Sequence, residues 1–588
     1  MAAARRRPVS RPRRPARGPQ ARLVAIAVLL LLAWVGMGVR LFEVQVVRAG
    51  EYAERGLAQR LVERPLAAAR GTIFDRNGDP LAVTVEAHSI FARPGELTDP
   101  LYAAQQLGAV LATDYEDVLA LLEQDESFVY LERQVGAETA LAVAELELVG
   151  IESHPEAKRV YPAGPLTGQV VGLVDIDGLG VEGLEQQYEQ VLRGTPGELV
   201  YEQAPKGLAI PQGYRRIDPA VPGDDLIITI DMAIQYEAEQ ACRSTLEITG
   251  AARCSVVVLS PETGEVLGLV NLPEFDPAAR ASTDGAGFSN FAVRGVYEPG
   301  STQKLITVAA ALEEGVVTPS TVIGEVADRL EVVEGACGSA SEGIYGCFED
   351  FESHETEDMT VRDIFTESSN VGTILVSQRL PDRALVEYME RFGQGTPTGI
   401  DYSGEAVGTI NVDPTCGSCM ASAAIGYSVA VTPLQMAAAF AAVANDGVWV
   451  QPHLVRSVIG ASGATRHAEP ETRRVVSEET AWVMRELLAN VVERGTGGPA
   501  QVAGYRVGGK TGTANKIAVG GGYTDITVAS FVGMAPIEDP QLVVAVVVDS
   551  PSWEYRTGKR AAAPAFAQIM EHSLHQLGIP PEGEADDG

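Results

Sequence analysis

The sequence predicts an α+β protein: an antiparallel sheet covered by helices, an elongated mixed α/β pedestal, and a single N-terminal transmembrane helix. Three observations predict this. An unbroken apolar run lies near the N-terminus. β-rich segments fall in two groups far apart in the chain, with long helical patterns between them. A turn-rich stretch, Pro219 to Asp224, separates that region from a mixed, acidic one before it.

Leu23 to Val39 holds 17 apolar or small residues in a row, bounded by Arg22 and Arg40. As a helix it spans roughly 26 Å, enough for a bilayer once Arg40 snorkels and Leu41 and Phe42 add length. A cleaved signal peptide is the rival reading. Its apolar core would be shorter, and Gly36-Met37-Gly38 followed by Arg40 is a poor cleavage site. The arginines upstream put the N-terminus in the cytoplasm and everything after residue 42 outside the cytoplasmic membrane. The predicted organisation is a basic disordered tail over 1–22, an anchor over 23–41, a non-catalytic pedestal over 42–222, a catalytic domain over 223–576 and an acidic disordered tail over 577–588.

Net charge is −34, yet residues 1–42 hold nine arginines and no acid, so the 79 acidic residues all fall in the exported part. So acidic a body argues against nucleic-acid binding. The six cysteines (Cys242, Cys254, Cys337, Cys347, Cys416, Cys419) form three close pairs along that part. Short-range bridges are the economical reading in an oxidising compartment, with free buried thiols the alternative for Cys242 and Cys254. Cys416-Gly-Ser-Cys419 has neither a second such motif nor a nearby histidine, which argues against a zinc or redox site, and no metal is expected.

Within the exported part, Leu41 to Ala67 reads as a helical stalk. Asn77-Gly78 marks a hairpin turn, with Asp75 and Arg76 as a structural ion pair. Val181 to Leu192 and Met232 to Ile248 read as helices, and Leu226 to Thr229 as a strand. Ser255–Leu259 and Val266–Asn271 are strands joined by Pro261-Glu262-Thr263-Gly264. Helical patterns then cover Thr302–Glu314, Pro433–Ala444 and Glu478–Val492. Three late strands cover Tyr505–Thr513, Ile526–Met534 and Leu542–Val548.

The chemistry concentrates in three short strings. The chain has only six lysines, and two of them fall in Ser301-Thr302-Gln303-Lys304 and Lys510-Thr511-Gly512, with Ser368-Ser369-Asn370 between. Glu298-Pro299-Gly300 stops any helix from the left, so Ser301 opens one, where free N–H groups favour developing negative charge. Lys304 lies on the same face and can take the serine's proton if it is neutral. Burial and a second cation, for which Lys510 is the candidate, would lower its pKa. Ser368 can relay a proton, and Asn370 can orient the lysine and hold a substrate amide. Lys510 and Thr511 can grip a carboxylate, and Gly512 lets a ligand approach the backbone. The N–H groups of Ser301 and Thr513 can form an oxyanion hole. Each string alone has a plainer reading, as a helix cap, a turn or a surface lysine; their joint occurrence in this order carries the argument. Arg556-Thr557-Gly558 mimics the third string but lacks a preceding strand and reads as structural.

These strings, with Arg70 to Gly78, Tyr297 to Gly300, Ala424-Ile425-Gly426-Tyr427 and Val431 to Gln435, make the chain resemble the class B penicillin-binding proteins, monofunctional peptidoglycan D,D-transpeptidases. Ser368-Ser369-Asn370-Val371-Gly372 is similar to the septal, cell-division (FtsI) type. The resemblance implies a penicillin-binding, serine-β-lactamase-like transpeptidase fold. It implies a serine acyl-enzyme formed on stem peptides ending in D-Ala-D-Ala and resolved by an acceptor amine, with β-lactams as mimics. It implies no cofactor. Its implied partners are a glycan polymerase of the shape, elongation, division and sporulation (SEDS) family, of the FtsW type, and divisome membrane proteins at the septum. The alternatives are a β-lactamase or D,D-carboxypeptidase of the same fold, and a membrane receptor or scaffold for β-lactams or wall fragments. Cys337 to Cys347 departs from the common pattern; a bridge there would stiffen a loop near the cleft.

Overall fold

The computed structural model describes residues 19–204, 208–282, 289–338, 346–413, 415–460, 462–518 and 520–581. Most of the basic tail and of the acidic tail, both expected to be disordered, lies outside the described residues. The described chain forms two compact units: residues up to Ala67 with Pro196–Ala220, and Ala68–Thr195 with Val221 onward.

In the first unit the apolar run becomes the helix Pro19–Phe42, which continues through a π-helical turn, Glu43–Val47. The combined stretch is long and apolar enough to cross a membrane, with none of it buried. A second helix covers Ala49–Ala58. The expected stalk helix does not reach Ala67. Leu61–Leu66 is instead the edge strand of a three-stranded antiparallel sheet, followed in order by Gly197–Glu202 and Arg215–Asp218. Its partners come from far along the chain, so local spacing could not reveal it. Pro65 is tolerated because the strand lies at the edge.

The second unit holds two large sheets. In one, Thr465–His467, Val455–Ile459, Asp225–Ile228, Ile73–Phe74, Pro80–Ala92 and Val129–Val135 lie in that order, and Ile151–Val160 also pairs with Pro80–Ala92. Asp225–Ile228 runs parallel to Ile73–Phe74 and antiparallel to Val455–Ile459, so this sheet crosses the expected boundary near Pro219. Asn77-Gly78 makes the expected turn between antiparallel strands. Asp75 and Arg76 are structural but do not pair with each other. Asp75 accepts from the N–H groups of Asn77 and Asp79 at 2.8 Å, and Arg76 reaches Glu265 at 3.4 Å. The expected helix over 181–192 is shorter: Gly180–Glu182 is a strand, and Gly183–Gln187 and Glu189–Leu192 are two short helices broken at Tyr188.

The other sheet is antiparallel throughout, in the order Val266–Leu272, Arg253–Leu259, Leu542–Asp549, Tyr523–Ala535, Gly508–Ile517. Side chains alternate between its faces. Val257, Val532, Val543, Ala545 and Val547 join one core, with the helices Lys304–Glu313, Pro433–Ala444 and Glu478–Glu493. Val256, Phe531, Val544, Val546 and Val548 join a second core, with Met232–Thr249 and Ala563–Gln576. Both faces are covered, which is why the central strand Leu542–Asp549 is apolar at almost every position. Pro433–Ala444 is buried on all sides and starts at a capping box, where Thr432 and Gln435 each hold the other's backbone N–H. Three disulfides join Cys242–Cys254, Cys337–Cys347 and Cys416–Cys419. The first ties the Met232–Thr249 helix to the sheet and replaces the free-thiol alternative.

Candidate active site

Gly300–Gln303 forms a tight 3-10 turn that feeds directly into the helix Lys304–Glu313, so Ser301 sits where the chain enters that helix. Two glycines let backbones meet there. Gly300 has φ +54°, and a Cβ on it would come within 2.7 Å of the Thr513 carbonyl; a Cβ on Gly512 would meet the Pro299 carbonyl at 2.8 Å. The edge strand Gly508–Ile517 therefore lies against the turn that carries Ser301, bringing Ser301 and Thr513 into one neighbourhood. Gly300 N–H donates to Gly426 O at 3.1 Å, so the Ala424–Tyr427 string supports the same turn from behind.

Ser368 ends the helix Val361–Glu367 in a left-handed conformation (φ 66°), and Asn370 begins the helix Asn370–Ser377. The reversal between these helices points the motif at two lysines. Lys304 Nζ donates to Ser368 O and to Asn370 Oδ1, both at 2.7 Å, and lies 3.3 Å from Ser368 Oγ. Lys510 Nζ donates to the same Ser368 Oγ at 2.7 Å. One hydroxyl thus bridges two amines that the chain places 206 positions apart.

Both lysines are 0% exposed. Burial lowers Lys304 to about 7, against the opposing pull of the Asp350 carboxylate. Lys510 also falls well below the ordinary lysine value, through burial first and then the charge of Lys304. A neutral lysine has two N–H donors and one lone pair. Ser368 O and Asn370 Oδ1 take the two donors of Lys304, leaving the lone pair for a proton. Asn370 also donates Nδ2 to Glu349 O at 2.8 Å, which keeps one N–H and one lone pair for a ligand.

Thr511 is buried, and its hydroxyl lies 2.9 Å from that of Thr496. Thr513 Oγ1 accepts from Gly558 N–H at 3.2 Å. Arg556-Thr557-Gly558 is therefore a neighbour of the binding strand, with the Arg556 guanidinium 3.5 Å from the Trp553 ring centre. Sequence reasoning missed Asp350, Thr496 and Glu298. Thr496 stands in a glycine-rich turn, Gly495 to Gly498, which was a readable signal; Asp350 carried none. Glu298 accepts from Ser428 N–H at 2.8 Å and from Tyr523 Oη at 3.2 Å, and burial raises its pKa. Among the described residues, no cluster of His, Cys, Asp and Glu could hold a metal ion.

Two buried lysines linked through Ser368 beside the Ser301 turn and a β-edge can transfer an acyl group. Residues 254–571 match the model of the penicillin binding protein transpeptidase domain, and 65–228 that of the penicillin-binding protein dimerisation domain. Penicillin-binding protein PbpB of Mycolicibacterium smegmatis is 34% identical, over 95% of this chain and 90% of that protein. Peptidoglycan D,D-transpeptidase FtsI of Escherichia coli is 28% identical, over 95% and 91%. The crystal structure of penicillin binding protein 3 from Mycobacterium tuberculosis, complexed with aztreonam, superimposes with a TM-score of 0.68 at 29% identity, over 88% of this chain and 98% of that one.

Proposed function

The chain belongs to the class B penicillin-binding proteins and is a serine-type peptidoglycan D,D-transpeptidase, and we propose that Ser301 is its nucleophile and Lys304 the base. The observation that carries this reading is the hydrogen-bonded line Lys304–Ser368–Lys510 beside the Ser301 turn. Neutral Lys304 takes the Ser301 hydroxyl proton as Oγ bonds to the penultimate D-alanine carbonyl of a stem peptide. The Ser301 and Thr513 N–H groups hold the oxyanion. Ser368 passes the proton to the terminal D-alanine nitrogen as the C–N bond breaks. An acceptor amine then attacks the ester, the new amide forms the cross-link, and Ser301 Oγ regains a proton through Lys304.

Lys510, Thr511, Gly512 and Thr513 seat the terminal carboxylate. Its negative charge supplies the counter-ion that buried Lys510 lacks, so binding restores the ammonium. Asn370 orients Lys304 and the substrate amide. β-Lactams present the same carbonyl and carboxylate and acylate Ser301.

The cellular reading follows from the FtsI likeness and the apolar helix. The protein is single-pass, with its N-terminus in the cytoplasm, a pedestal over 42–222 and a catalytic domain over 223–576. It works at the division septum with an FtsW-type SEDS polymerase and divisome membrane proteins. The test is gel labelling of the full-length, detergent-solubilised chain with fluorescent penicillin. Wild type gives a band that persists for hours and Ser301→Ala gives none. A band of wild-type intensity in the variant removes Ser301 from the reaction, and a band lost within minutes in wild type makes the protein a hydrolase.

A further inference from the structure

Asp350 belongs to none of the three strings, yet its carboxylate, 6% exposed, holds the middle one in place. Asp350 Oδ1 accepts from the N–H groups of Asn370 and Val371, the latter at 3.0 Å. Its Oδ2 accepts from Ser369 Oγ at 2.7 Å, and His354 Nε2 lies 3.0 Å away. Ser369 Oγ in turn accepts from Gly372 N–H at 2.8 Å. The first turn of a helix normally has N–H groups without partners. Here Asp350 and Ser369 satisfy three of them from outside.

Asp350 is itself held firmly. Its N–H donates to Asp328 O at 2.9 Å. The strand before it, Cys347–Glu349, pairs antiparallel with Arg329–Glu331, and the Cys337–Cys347 bond closes that segment. Leu330, Val332 and Phe348 from the same segment pack on Ile374, Ala421 and Ile425 in a small apolar cluster of their own. Residues 329–332 and 347–350 are thus a brace, joined by strand pairing, by apolar contact and through the Cys337–Cys347 bond, and they present Glu349 O and Asp350 to Asn370.

We propose that Asp350 is a positioning residue for acylation: it fixes the first turn of the Asn370–Ser377 helix so that Asn370 Oδ1 and Ser368 O hold both N–H groups of Lys304 and leave its lone pair for the Ser301 proton. This rests on Lys304 being the base. Losing the brace lets Asn370 and Lys304 drift, and a displacement of about 1 Å in a catalytic group costs on the order of 100-fold. Asp350 also acts by charge, since it opposes the effect of burial on Lys304. The charged groups around it are Lys304, Glu367 and His354, with Glu357 3.9 Å from the His354 ring.

The experiment measures the limiting acylation rate and the pre-acylation affinity of the full-length protein for fluorescent penicillin, across pH, with thermal melting alongside. Asp350→Ala lowers the limiting rate on the order of 10- to 100-fold, with affinity and melting close to wild type. Asp350→Asn keeps the oxygen that accepts the two backbone N–H groups. It keeps most of the rate at high pH but moves the acid limb to lower pH. A wild-type limiting rate in Asp350→Ala overturns the proposal. So does an equal loss in both variants with the acid limb unmoved, which is what a merely structural role gives. If Asp350→Ala does not fold, the acid limb of Asp350→Asn decides. Lys304→Gln, run in parallel, separates the two readings: wild-type acylation there sinks the base assignment, whereas its loss beside a fully active Asp350→Ala sinks only the brace.

Discussion

Two places in this molecule bury basic side chains, and they treat them in opposite ways. In the pedestal, Arg70 and Arg159 close on Glu185, which is fully buried, with contacts of 2.6 and 2.7 Å, and Arg70 also reaches Glu189 at 2.6 Å. Burial disfavours the Arg70 charge, but the two carboxylates outweigh it and hold the guanidinium above its ordinary value. In the cleft, Lys304 and Lys510 are as deeply buried but touch carbonyl, amide and hydroxyl oxygens and no carboxylate. Their pKa values fall. A buried cation with a carboxylate is a structural joint; without one it becomes a base.

The largest expected effect breaks the cleft side of that contrast. Lys304→Gln keeps an amide in place of the amine and should lower penicillin acylation about 10²- to 10⁴-fold, read by stopped-time gel labelling, while the protein stays folded. Glu185→Ala breaks the other side. It leaves Arg70 and Arg159 short of a partner and should cost about 3–5 kcal/mol of stability in a denaturant titration, with the acylation rate of the folded fraction unchanged.

The pH dependence sharpens the contrast. Lys304 is a base only when neutral, so acylation should rise about tenfold per pH unit up to about 7 and level off above it. Stability follows the same group. Between about 7 and the ordinary lysine value of 10.5, folded Lys304 has released a proton that the unfolded chain keeps, so stability rises with pH through that window. Below about 7 the penalty is complete. Lys304→Met removes it. The variant should therefore be more stable than wild type at about pH 6.5, with the advantage shrinking by about pH 9.5, although it does not acylate. The smallest effect comes from an exposed cation. Lys516 meets Asp549 at 2.7 Å near the surface, and Lys516→Ala should change stability by no more than about 1 kcal/mol.

The site was legible because its chemistry is carried by short strings of rare residues in a fixed order. Ser301, Lys304, Ser368, Asn370 and Lys510 could be named without coordinates, and the structure joins the last four by hydrogen bonds. The sheet was legible for a related reason: its strands alternate or are apolar throughout, and period-2 patterning is local. Asp350 was invisible because one aspartate among 79 acidic residues has no signature until the chain folds back upon it. The strand Leu61–Leu66 was missed because its partners, Gly197–Glu202 and then Arg215–Asp218, lie more than a hundred residues away. The sheet that runs from Ile73–Phe74 through Asp225–Ile228 to Val455–Ile459 was missed for the same reason: its strands come from distant parts of the chain, on both sides of the turn-rich stretch where one compact unit gives way to the other between Ala220 and Val221.

Sequence alone determined the candidate site residues, the class of reaction, the apolar N-terminal helix and the strands of the antiparallel sheet, because composition, motif order and periodicity are properties of neighbours along the chain. Tertiary structure decided the cysteine pairing, the solvent exclusion that brings Lys304 to about 7, and the brace around Asn370. Those depend on what the fold removes from water and on which distant backbone arrives to replace it.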